Sequence, residues 1–69
     1  MNTLRKFEDA IRRNYAIASL VAYELHLRRQ LVTVYGNREA VLKAEAIAMQ
    51  FGGTVERNDD GHEIIVRFK

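Results

Sequence analysis

The sequence predicts an α+β fold: a long N-terminal helix followed by a βαββ unit, whose three-stranded antiparallel or mixed sheet is covered by the helices. Three observations predict it. Across residues 4–27 apolar side chains recur every three or four positions, the period of a helix with a buried face. Residues 30–35 then turn β-branched and aromatic, and Gly36 ends them, as it would a strand. A second helical repeat over residues 38–51 is followed by two short alternating segments around Asp60-Gly61, a dipeptide suited to a tight hairpin.

The first helix is expected to start at Asn2 or Thr3, either of which can accept a hydrogen bond from a free first-turn N–H, and to run to Arg29 or Gln30. Its centre, residues 15–23, carries no charge and, apart from the phenols of its two tyrosines, a single hydroxyl. On a helix this stretch presents two apolar sides. One stripe is Leu4, Phe7, Ile11, Tyr15, Ala18, Ala22 and Leu25, and is assigned to the chain's own core. The other is Ala16, Leu20, Tyr23 and Leu27, about half a turn away, and is assigned to a partner. The two assignments can also be reversed, with Leu4, Phe7 and Ile11 serving the partner. Arg5–Asp9, Glu8–Arg12 and Glu24–Arg28 are spaced to pair at i,i+4. Asn14 is the weakest residue for a helix interior, and a bend or break there is the alternative.

Residues 31–35 form the expected first strand, the competing reading being a helix that continues to Tyr35. Asn37 can cap the second helix, residues 38–51, which buries Ala40 or Val41, Ala44, Ile47, Ala48 and Phe51. Glu39–Lys43 supports its outer face. Leu42 and Met49 fall off that stripe. Gly52 suits the left-handed position that closes a helix. In the hairpin, a two-residue Asp60-Gly61 turn sets Val55 opposite Val66 and Arg57 opposite Ile64. Val55, Ile64, Val66 and Phe68 then share one face, and widening the loop preserves those faces. A hairpin alone is marginal, so it should add to the 31–35 strand beneath the second helix.

Sixty-nine residues make one small domain, 1–69, which buries only about 60% of the surface its unfolded chain exposes. With no cysteine, disulfides and thiolate metal sites are excluded, and close packing or self-association must supply the stability. The absence of proline and the 29% charged fraction fit an ordered globular chain. Residues 1–30 carry six Lys/Arg against three acids, and residues 31–69 five against six, so the first helix is the basic part. The longest uncharged run, residues 14–23, is half what a spanning helix needs. Glu8, Asp9 and the polar residues after Tyr23 argue against a secretory leader, which leaves the cytoplasm as the expected location.

No catalytic, metal or cofactor signature emerges, and the chain is expected not to be an enzyme. His26 and His62 have no companions at ligand spacing. Ser19, the only serine, has no positioned base and is expected to be a small packing residue with its hydroxyl bonded back to the helix. Asn58-Asp59-Asp60-Gly61 lacks the spacing and distal glutamate of a calcium loop. Gly36-Asn37 lacks the lysine and further glycines of a phosphate loop. Lys6, Arg13 and Arg29 lack an obvious i,i+4 acid, and Arg12-Arg13 and Arg28-Arg29 are adjacent pairs. Lys6, Arg12, Arg13, Arg28 and Arg29 could therefore lie along phosphates.

Two functions are carried forward. The first is a non-enzymatic protein-binding module, homodimeric through helix 1 at Ala16, Leu20, Tyr23 and Leu27, that inhibits or adapts a larger protein. Phages and mobile elements encode short chains of this kind against host factors. The second is a small nucleic-acid-binding or transcription-regulating protein that uses the arginine pairs.

Overall fold

The computed structural model describes residues 2–69. Its helices and strands follow the order α1 (Thr3–Arg13), α2 (Tyr15–Ala18), β1 (Val21–His26), β2 (Leu31–Gly36), α3 (Arg38–Gln50), β3 (Thr54–Arg57) and β4 (Glu63–Arg67), with a 3-10 turn at Leu27–Arg29. The fold is α+β. Its four strands form one antiparallel sheet in the order β1-β2-β4-β3. The expected βαββ unit is present as β2-α3-β3-β4, but the long helix before it is not. The helix breaks at Asn14, and the second half of its span is the additional strand β1.

Asn14 causes the break by serving two helices at once. Its extended backbone (φ −89°, ψ 96°) closes α1, and its Oδ1 accepts from Ile17 N at 3.3 Å to open the single turn α2. Short polar side chains compete in this way with the helical ladder. At the other end of α1, Asn2 Oδ1 accepts from Leu4 N at 2.8 Å. The first stripe is buried through α1, at Leu4, Phe7 and Ile11, and packs on the core again at half-buried Leu25, whereas Tyr15 is 83% exposed and Ala18 and Ala22 are exposed too. Ile17, which lies in neither stripe, is fully buried.

Past the turn, period two replaces period 3.6. In β1 the side chains of Val21, Tyr23 and Leu25 point into the molecule, half-buried, and Ala22, Glu24 and His26 point out. Burial of three larger side chains on one face favours a strand here. A helix would have split the same residues between two faces.

Gly36 permits the close approach of the end of β2 to the start of β1. At φ 143° it occupies a region open essentially to glycine, and a Cβ there would lie 2.4 Å from Leu20 O and 2.9 Å from Val21 Cα. The chain then enters α3, capped by Asn37 Oδ1 accepting from Ala40 N at 3.2 Å. The expected stripe packs on the sheet, with Ala40, Val41, Ala44 and Ala48 buried and Ile47 and Phe51 half-buried against the core. Gly52 follows at φ 80°, the expected left-handed position. Leu42 and Met49 remain exposed.

Parallel strands such as β2 and β3 need a long crossover. This one leaves a gap of one strand, which β4 fills by pairing with both. Val55 faces Val66 and Arg57 faces Ile64, the register that the hairpin pattern predicts. The turn is wider than two residues, with Gly61 N donating to Asn58 O at 3.2 Å. On the covered face Val32, Val34, Ile64 and Val66 meet Leu4, Phe7, Ile11 and Ile17, and the Phe7 and Phe68 rings lie 5.5 Å apart.

Candidate functional site

The four residues assigned to a partner stripe do not form one. Ala16 lies in α2, Leu20 in the turn after it, Tyr23 in β1 and Leu27 in the 3-10 turn. Tyr23 points toward the core, and its hydroxyl donates to Glu8 Oε2 at 3.0 Å. Leu20 and Leu27 are exposed, 50% and 44%, and they bracket β1. The helical dimer surface is thereby replaced by an edge strand with an exposed leucine beyond each end.

The hydrogen-bond pattern fixes which side of β1 is free. Gly36 N donates to His62 O at 2.9 Å and Phe68 N donates to Gln30 O at 2.8 Å. Even-numbered positions of β2 thus serve β4, and by alternation Leu31, Thr33 and Tyr35 serve β1. Those residues pair with His26, Glu24 and Ala22. The intervening residues of β1, Val21, Tyr23 and Leu25, direct their N–H and C=O groups away from the sheet. Of the usual defences of a sheet edge, proline, a bulge, a lysine and very short length are absent from β1, and the exposed Glu24 is its one carboxylate. The opposite edge, β3, has only four residues, and Arg57 binds Glu45 of α3 through Nε at 3.0 Å and Nη2 at 2.9 Å.

All helices lie on one face of the sheet, so the other is open. Across it run the rows Ala22–Tyr35–Glu63, Glu24–Thr33–Ile65–Glu56 and His26–Leu31–Arg67–Thr54. Three glutamates against one arginine make this face unsuited to phosphates.

The five basic residues considered for nucleic acid are dispersed. Lys6 and Arg13 line an open cleft of about 620 Å³ together with Arg5, Asp9, Ala10 and Phe51. Arg12 is on the flank of α1 near Glu8, and Arg28 and Arg29 are in the 3-10 turn. The charge pairing also differs from the expected one. Arg13 does have an acid at i,i+4, Asp9, at 3.0 Å, and Arg5 pairs with Glu8 at 2.9 Å. Glu24 lies 3.7 Å from His26, since residues 24 and 28 no longer share a helix. Glu39–Lys43 is not among the ion pairs of the described residues.

Glu8 has the most strongly built environment of these groups, with only 15% of its side chain exposed. Burial works to raise its pKa. Hydrogen bonds from Arg5 and Tyr23 and the charges of Arg5 and Arg12 overcome that effect and hold the carboxyl below the usual glutamate value. Burial and the Glu8 carboxylate raise the Tyr23 hydroxyl in turn. The arrangement ties α1 to β1 and leaves Glu8 ionised at neutral pH.

Other candidate chemistry finds structural explanations. Ser19 Oγ donates to Tyr15 O at 2.9 Å. His62 Nδ1 lies 3.1 Å from Gly36 O, and Asp60 Oδ1 accepts from His62 N at 3.1 Å. Among the described residues no group of three or more His, Cys, Asp or Glu is placed to hold a metal, and no helix is long and apolar enough to cross a membrane.

Fold and site together define an open-faced α+β sandwich with one six-residue edge strand, β1, whose outer side is unpaired. Compared with known proteins, the chain matches no family model, no curated protein and no solved structure.

Proposed function

We propose that this chain is a non-enzymatic protein-binding module whose docking element is the β1 edge. The observation that carries the reading is the free side of Val21–His26: six strand residues with unpaired backbone groups at Val21, Tyr23 and Leu25, bracketed by exposed Leu20 and Leu27. Strand addition to such an edge draws affinity from main-chain hydrogen bonds and specificity from side chains at alternate positions. The module would inhibit or adapt the protein it joins, in the cytoplasm, as small phage and mobile-element products do to host factors.

The test is capture by tagged chain from its source cells, scoring untagged copies of the chain as well as other proteins. Leu20→Glu/Leu27→Glu changes only exposed positions, so circular dichroism should remain that of the wild type. A protein held by the wild type and lost from this variant supports the reading. Equal capture by both, or capture by neither, overturns it.

A second reading rests on the basic cleft, which Arg5, Lys6 and Arg13 line together with Phe51 and Asp9. Cations around an aromatic ring suit single-stranded nucleic acid. Two of those cations already hold acids, which places this reading behind the first. Absence of binding to single-stranded and duplex DNA at ~50 mM salt would dismiss it, because phosphate contacts are strongest at low salt.

A further inference from the structure

We infer that the β1 edge takes a second copy of this chain, antiparallel, about a two-fold axis at Tyr23, to make one continuous sheet across two protomers. The inference rests on the docking edge proposed above and names its occupant.

Self-pairing about a two-fold axis places one residue of β1 opposite itself. Within the strand the central choices are Ala22, Tyr23 and Glu24. With Glu24 at the axis, two carboxylates would stand directly opposed, a destabilising pair. With Ala22 at the axis, Val21 meets Tyr23, but Leu25 falls opposite Ser19, which lies outside the strand in a helical conformation (φ −77°, ψ −12°). Only the Tyr23 register uses every free residue. Tyr23 meets Tyr23, Val21 meets Leu25 and Leu25 meets Val21, each pair exchanging two hydrogen bonds.

The side chains agree with that register on both faces. On the covered face the half-buried Val21, Tyr23 and Leu25 meet apolar counterparts, so their remaining exposed surface is shielded. On the open face Glu24 is set opposite Ala22, and exposed Leu20 opposite His26. No like charges oppose one another. A bulge-free edge whose apolar residues meet apolar residues, and whose one carboxylate meets alanine, in a single self-paired register fits a second copy of the chain.

The test uses cysteine cross-linking, and the cysteine-free chain supplies a clean background. In the Tyr23 register Ala22 and Glu24 of opposite protomers form a non-hydrogen-bonded pair with Cα atoms about 4.5 Å apart, within disulfide range. Equivalent positions, Ala22 with Ala22 or Glu24 with Glu24, are displaced by two residues and exceed the ~7 Å limit. An equimolar mixture of A22C and E24C should therefore give covalent dimer under mild oxidation, and each variant alone should give none. Sedimentation of the reduced wild type should move from monomer to dimer with rising concentration.

Cross-linking by A22C alone or E24C alone would assign another register and overturn the inference, as would a mixture that forms no dimer. A wild type that stays monomeric at every concentration also overturns it. If such a monomer still captures another protein in a manner abolished by Leu20→Glu/Leu27→Glu, the docking edge stands and only its occupant is wrong. If that capture fails too, both readings fall.

Discussion

Replacing Gly36 with alanine should remove a large part of the stability of this chain. The backbone at φ 143° is strained for any L side chain, at a cost of about 1–3 kcal/mol. The added Cβ would also lie 2.4 Å from the backbone oxygen of Leu20, which has no flexible side chain to yield. That oxygen accepts from Asn37 N at 2.9 Å, and moving it away forfeits a bond with a net value of about 1 kcal/mol. Together these make about 2–4 kcal/mol. At ~0.05–0.15 kcal/mol per residue a chain of this length has roughly 3–10 kcal/mol in total. Urea unfolding followed by far-ultraviolet circular dichroism measures the difference. A G36A variant within about 1 kcal/mol of the wild type, with an unchanged denaturant slope, would refute the close approach of the Leu20 and Val21 backbone to this glycine.

Other expectations follow from the same geometry. Ile17→Ala should cost about 2–5 kcal/mol, as for a fully buried aliphatic residue, while Tyr15→Ser, at an exposed position, should stay within about 0.5 kcal/mol; denaturant midpoints would show the reverse if α1 continued through Asn14. Asn14→Ala removes the cap of α2 and should cost about 0.5–2 kcal/mol, read from the thermal midpoint. Tyr23→Phe should cost about 1.5–3 kcal/mol through the lost bond to the Glu8 carboxylate. Because Glu8 has a lowered folded-state pKa, its contribution is complete above the ordinary glutamate value, about 4.3, and is lost as pH falls through the folded value. Wild type minus Glu8→Gln stability, measured by urea unfolding at pH 7 and down through the carboxylate range, should therefore shrink on acidification. A constant difference would contradict that environment for Glu8.

What was legible in the sequence is what short-range rules determine. The register of β3 and β4 follows from alternation around Asp60-Gly61, and α3 follows from Asn37, its apolar stripe and Gly52. Residues 15–27 were not legible, because nearly every position to Tyr23 is apolar and a helical stripe can be drawn through such a run in several ways. The alternation of Val21, Tyr23 and Leu25 with Ala22, Glu24 and His26 was the available signal. Alanine at 22 masked it by fitting the helical core stripe as readily as a strand's outer face. Ile17 escaped because its burial depends on a one-turn helix that only Asn14 sets up. Asp9 has arginines four residues away on both sides, and the choice of Arg13 over Arg5 depends on Glu8 already holding Arg5. The candidate site inherited the largest of these errors. Leu20 and Leu27 remain exposed on the surface, but the element between them is a strand edge, whose free groups appear only once β2 is known to be shared with β4.

Amide hydrogen exchange along residues 21–26 tests that edge most directly. In dilute monomer the amides of Ala22, Glu24 and His26, bonded to β2, should be protected, and those of Val21, Tyr23 and Leu25 should exchange at rates near those of an unstructured chain. Equal protection at all six amides, as a continuous helix would give, would contradict the account.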